Sequence, residues 1–85
     1  MCIRDRAYTE DFEERVRYDL IGEYRELDEV YYLGYGFEVT ACKSGESRRI
    51  ADFTSLPQRA ESVFQLLVDC RVAPFQLQYV LEDLL

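Results

Sequence analysis

Histidine and tryptophan are absent from this chain of 85 residues. Without imidazole, neither a Ser-His-Asp nor a Cys-His arrangement can be built, and no histidine metal site is possible. Long apolar runs are missing too. A bilayer crossing takes about 20 consecutive, mostly apolar residues, so no membrane span is expected. Positive charge is scarce: ten Lys and Arg stand against seventeen Asp and Glu, a net of −7. That balance is poor for gripping a phosphate backbone, and direct nucleic-acid binding is not expected. Cysteine is sparse, and Cys2, Cys42 and Cys70 lack the CxxC spacing of zinc and dithiol sites. No metal and no cofactor is therefore expected. Cys42 and Cys70 each sit among apolar residues, which favours buried free thiols over a disulfide. A reducing cytoplasm fits that reading.

What is present is a globular composition, 48% apolar and 32% charged, long enough for one small domain. The first six residues need separate treatment. Met1-Cys2-Ile3-Arg4-Asp5-Arg6 back-translates as ATG-TGT-ATA-AGA-GAC-AG plus one purine. That string resembles the mosaic end of a transposase-based sequencing adapter; the alternative is a natural N-terminus. A translated scar is set aside before fold reasoning, and its deletion is expected to leave the melting temperature unchanged. Residues 7–14 then form an acidic lead-in and 15–85 the domain. Residues 7–38 hold ten acids against Arg15, Arg17 and Arg25, whereas residues 39–85 hold six acids against five bases. The negative charge thus sits almost wholly in the first half.

Alternation with period two begins at Arg15, with Val16, Tyr18 and Leu20 on one face, and marks a half-buried strand up to Gly22. The acidic stretch Glu23–Glu29 reads either as a hairpin connection or as a helical turn. Tyr35, Phe37, Val39 and Ala41 alternate again, a polar turn follows at Lys43-Ser44-Gly45-Glu46, and residues 47–53 return antiparallel. The period then changes. Ala60, Val63, Phe64 and Leu67 predict one amphipathic helix, with Ser55 and Gln58 in capping-box spacing. Pro74 opens a second, carrying Leu77, Val80, Leu81 and Leu84. The expected fold is α+β, a three-stranded antiparallel sheet in the order β-β-β-α-α with both helices on one face.

Tyr35-Gly36-Phe37-Glu38-Val39, the charged hairpin before Ile50, Arg71-Val72-Ala73-Pro74 and Leu77-Gln78-Tyr79-Val80-Leu81-Glu82-Asp83 together resemble a bacterial domain family of unknown function. Its members are short standalone proteins of clostridial-type Firmicutes, and the likeness covers about residues 16–85. Ala73 departs from the capping hydroxyl usual before the proline. The resemblance implies no activity and assigns no site.

Several groups invite a function. Glu82-Asp83 and the cluster Glu10, Asp11, Glu13 and Glu14 read as solvated surface rather than acid–base pairs. Gly34-Tyr35-Gly36 lacks the third glycine and the helix of a nucleotide fingerprint; a glycine in a strand more often marks a bulge or a close approach. Arg48-Arg49 either holds an anion or balances Glu38 or Glu46 across the hairpin. Seven tyrosines are the unusual feature. In a strand Tyr31 and Tyr35 share one face and Tyr32 takes the other, so one subset is exposed, and tyrosine suits partner surfaces. The chain reads as a non-enzymatic protein-interaction or regulatory module, binding an unknown protein partner or a second copy of itself through Tyr31, Tyr32 and Tyr35. The contact face is expected to be the one the helices leave open. The alternative is an acidic decoy whose carboxylates stand in for phosphates in a basic groove.

Overall fold

The alternation that starts at Arg15 does not stop at Gly22. In the computed structural model, which describes residues 2–10 and 14–85, β2 spans Arg15–Leu27 and returns as β3, Val30–Ala41. β1, Cys2–Glu10, pairs antiparallel with β2, and β4, Ser47–Thr54, pairs antiparallel with β3. The sheet is four-stranded in the order β1-β2-β3-β4, which corrects the expected three strands; the class remains α+β. The additional strand comes from residues assigned to the adapter scar and the acidic lead-in. Met1 and residues 11–13, including Asp11 and Glu13 of the acidic cluster, lie outside the described residues.

β1 carries no apolar stripe to announce it. Ala7 is its contribution to the core margin, and its position is set by β2, where Tyr18 and Asp19 are both buried. Arg6 lies opposite Asp19 in the ladder, and its Nε stands 2.6 Å from Asp19 Oδ1. That bond raises the Arg6 pKa. Arg17 Nε reaches the other carboxylate oxygen at 3.1 Å. A carboxylate this deeply buried needs such partners.

Helix α1 spans Pro57–Asp69; a 3₁₀ turn at Pro74–Gln76 leads into α2, Leu77–Asp83. Both cover the same sheet face. Ala60, Val63, Phe64 and Leu67 of α1, with Leu77 and Leu81 of α2, bury against Tyr18, Leu20, Phe37 and Val39. The start of α1 differs from the capping-box expectation. Leu56 is the N-cap without a side-chain bond, and Thr54 Oγ1 instead accepts from the Leu56 amide at 3.1 Å. Pro57 takes N1, where its missing N–H costs nothing. At the C-terminus Val72 N–H donates to the Leu67 carbonyl and Arg71 N–H to that of Val68, the double bond of a Schellman turn. Arg71 holds the left-handed position, φ 51°. Ahead of α2 the Ala73 amide donates to Gln76 Oε1 at 2.9 Å, the reciprocal half of a capping box, while the Gln76 amide that a capping hydroxyl would have bound donates to the Ala73 carbonyl instead.

The thiols also depart from expectation. Cys2, Cys42 and Cys70 are free and exposed, because Cys42 lies past the end of β3 and Cys70 at the α1 C-cap.

Two predictions follow from this core. Deleting residues 1–6 removes Arg6 from Asp19 and is expected to lower the melting temperature, the reverse of the expectation from back-translation. A thermal melt unchanged within error would show that β1 contributes nothing. Tyr18 donates its hydroxyl to the Val72 carbonyl at 2.9 Å, so Tyr18→Phe should cost about 1 kcal/mol. Burial pushes the Tyr18 phenol above its ordinary value of 10.0. The folded state then holds that proton more tightly than the unfolded state, and stability declines as pH rises past 10.0. Denaturant melts of the phenylalanine variant should lack that part of the alkaline loss.

Candidate functional site

The ladder between β2 and β3 runs unbroken from Val16 opposite Ala41 to Leu27 opposite Val30. Alternation along it assigns every side chain to a face. Even positions of β2 and odd positions of β3 lie on the helix side; Asp19, Ile21, Glu23 and Arg25, with Glu38 and Tyr32, lie on the other.

That second face, open of helices, is knitted by ion pairs. Arg17 spans Asp19 and Glu38, and Glu23 receives both Arg25 at 2.7 Å and Arg49 at 3.5 Å. Arg48 pairs with Glu46 at 3.9 Å, one of the two partners expected for the double arginine, whereas Arg49 reaches Glu23 and Glu38 is taken by Arg17. Gly34 and Gly36 explain how β4 closes over this face. The β3–β4 register shifts between Tyr35 and Phe37, and the extra residues of β4 ride directly over Gly36, where a Cβ would collide with the Ile50 carbonyl. Asp52, at φ 54°, occupies the space a Gly34 side chain would need. From there it accepts the Tyr32 hydroxyl at 2.9 Å, a bond that raises the Tyr32 pKa. The close approach expected of these glycines is present, and the bulge lies in β4, so the facing of the tyrosines is undisturbed.

Beyond this point the hairpin stands alone. Among the described residues β1 reaches only Gly22 along β2, and β4 reaches only Tyr35 along β3. Residues 23–34 therefore form a two-stranded ribbon, and the molecule measures 47 × 23 × 18 Å. Its tip is a two-residue turn closed by the pair Leu27 and Val30. Asp28 and Glu29 hold φ of 50° and 65°, the positive values that a type I′ hairpin turn requires and that glycine or asparagine normally supplies. Tyr24 and Tyr31 are diagonal neighbours on the helix side, 80% and 71% exposed, and Leu27 and Val30 are 64% and 63% exposed. Glu26, Asp28 and Glu29 make no ion pair among the described residues.

The structure separates the three tyrosines singled out from sequence. Tyr31 is open at the tip, Tyr35 packs against the core margin, and Tyr32 is tied to Asp52 on the opposite face. Tyr31 and Tyr35 share a face, but it is the helix-side face extended past the helices, not the open face proposed for contact. Tyr24, Leu27 and Val30 were missed. Their signal was the apolar spacing on either side of Asp28-Glu29, hidden because that dipeptide lacks the glycine by which a tight hairpin is read. Elsewhere, a cleft of about 290 Å³ lies between Val16, Ala41, Pro74 and Phe75. Its Arg71 is occupied with the Glu10 carbonyl. Among the described residues no group of three or more His, Cys, Asp or Glu could hold a metal.

Comparison with known proteins adds a family but no activity. The model of a family of unknown function, DUF6514, matches residues 1–85. No curated protein and no solved structure matches the chain.

The strained tip makes a direct prediction. Glu29→Gly should stabilise the protein by up to about 1 kcal/mol, by relieving a left-handed non-glycine residue. Gly45→Ala, at φ +79° with open space around its Cβ, should cost a similar amount. Chemical melts of both variants check the pair; a Glu29→Gly protein less stable than the parent would contradict the turn geometry.

Proposed function

The chain belongs to the DUF6514 family of unknown function, and we propose that it is a small, non-enzymatic protein-interaction module whose contact surface is the end of the β2–β3 hairpin. One observation carries the proposal: on an exposed two-stranded ribbon that no other described element pairs with, Tyr24 and Tyr31 stand out from one face and Leu27 and Val30 from the other, so the tip is apolar on both sides. Stability does not require large apolar side chains there, and clustered apolar surface is characteristic of contact sites. Tyrosine is well suited to the role, since its rigid ring gives large contact area at small entropic cost. A ribbon projecting from a packed sheet can insert into a partner without disturbing the core.

The acidic-decoy reading draws less support. Asp19, Glu23 and Glu38 are already paired with arginines on the open face, so the carboxylates of that face are not free to imitate a phosphate row. A cytoplasmic setting is part of the proposal, supported by three exposed free thiols, which persist best in a reducing compartment. Among the described residues no helix is long and apolar enough to cross a membrane. A clostridial-type origin rests on the family resemblance of the strand and helix segments.

The test is the double substitution Tyr24→Ser and Tyr31→Ser. Both side chains are exposed, so stability should change by no more than about 0.5 kcal/mol. Association, whether with itself in sedimentation or with a captured partner, should be lost. Retained association in a folded double variant would sink the hairpin as the contact surface.

A further inference from the structure

The proposed contact surface also specifies its occupant. We infer that the hairpin end docks into an apolar groove rimmed by Lys and Arg on a different protein, and not onto a second copy of this chain; this rests on the interaction reading above. The four apolar side chains at the tip are interleaved with charge of one sign. Between residues 23 and 29 stand Glu23, Glu26, Asp28 and Glu29 against Arg25. Arg25 is engaged with Glu23, which leaves Glu26, Asp28 and Glu29 without a cationic partner among the described residues.

The geometry of these carboxylates matters more than their number. Glu26 lies directly opposite Tyr31 in the ladder, on the face that bears Tyr24. Asp28 and Glu29 form the turn, immediately beyond Leu27 and Val30. A groove that encloses both faces of the tip, and so covers all four apolar side chains, also closes around all three carboxylates and strips part of their water. Uncompensated, such desolvation opposes binding; matched by cations on the partner's rim, it becomes a source of specificity and fast association.

A twofold dimer is the natural competitor, and charge argues against it. A twofold interface sets the same patch on itself, so the three unpaired carboxylates of one copy would meet the same three of the other. Like charges in such contact are strongly unfavourable. Anionic lipid surfaces and nucleic acid are disfavoured for the same reason. The turn strengthens the case: two acids occupy positive-φ positions where asparagine and glycine would be less strained, so the charge is placed there at the expense of local stability.

A random peptide library displayed on phage, panned against the immobilised whole chain, tests the inference. The expected result is enrichment of sequences that interleave Lys or Arg with apolar residues. A synthetic peptide from that pool should bind on the order of tenfold more weakly as salt rises from low to high ionic strength. Binding should fall by a similar factor for the charge-neutral variant Glu26→Gln, Asp28→Asn, Glu29→Gln, and be lost in the Tyr24→Ser, Tyr31→Ser protein, with circular dichroism showing both folded. Enrichment of uncharged or acidic peptides, or none at all, would overturn the basic partner. So would a dimer in sedimentation that the tyrosine substitutions abolish, although that outcome would leave the hairpin as the contact surface. Basic peptides that bind the tyrosine variant as well as the parent would overturn both readings.

Discussion

Twelve consecutive residue pairs tie β2 to β3 without a bulge, from Val16 and Ala41 at one end to Leu27 and Val30 at the other. This register is the constraint on which the other features depend, because in a ladder each step of one residue exchanges the two faces. It places Tyr18, Leu20, Phe37 and Val39 under the helices, Asp19 and Glu38 among arginines, and Tyr24 with Tyr31 at the uncovered end. A slip by one would turn Asp19 into the core and Leu20 into the ion-pair network. Neither environment could accept the exchange, so the hairpin has one workable alignment.

The flanking elements use that alignment unequally. β1 reads the edge of β2 through Arg6 and Asp19, while β4 reads β3 through Phe37 with Ile50 and Glu38 with Arg49. The bulge of β4 then turns its chain over Gly34 and Gly36, and Tyr32 fastens it there through Asp52. Both outer strands stop pairing at nearly the same level of the hairpin. The end beyond them carries exposed aromatic and aliphatic side chains among unpaired acids, which is why the functional reading settles there and not on the broad open face. That face has its charges internally matched and offers a partner little to gain.

Much of this architecture is legible in the residues. Period-two alternation from Arg15 and from Tyr35 exposes the two central strands, and the i, i+3, i+4, i+7 spacing of Ala60, Val63, Phe64 and Leu67 exposes α1. Pro74 marks the start of the second helical segment, and Gly45 marks the turn before β4. The sharing of one face by Tyr31 and Tyr35 follows from the same alternation. These features are local: each is encoded by residues within a few positions of one another, and the burial of a stripe or a face is enough to select the element.

What the sequence by itself determined, then, is the sheet-plus-helices class, the central core and the absence of imidazole chemistry. Only the tertiary structure decided the rest. β1 has almost no apolar signal, since its place depends on a carboxylate thirteen residues away and on the open edge of β2. The extension of the hairpin past Gly22 was hidden by a turn built from Asp28 and Glu29, whose positive φ is enforced by the paired strands on either side and not by their own preference. Exposure of Tyr24 and Tyr31 was likewise undecidable locally. Both lie on the face that is core elsewhere, and they are open only because two short helices end before they reach the tip.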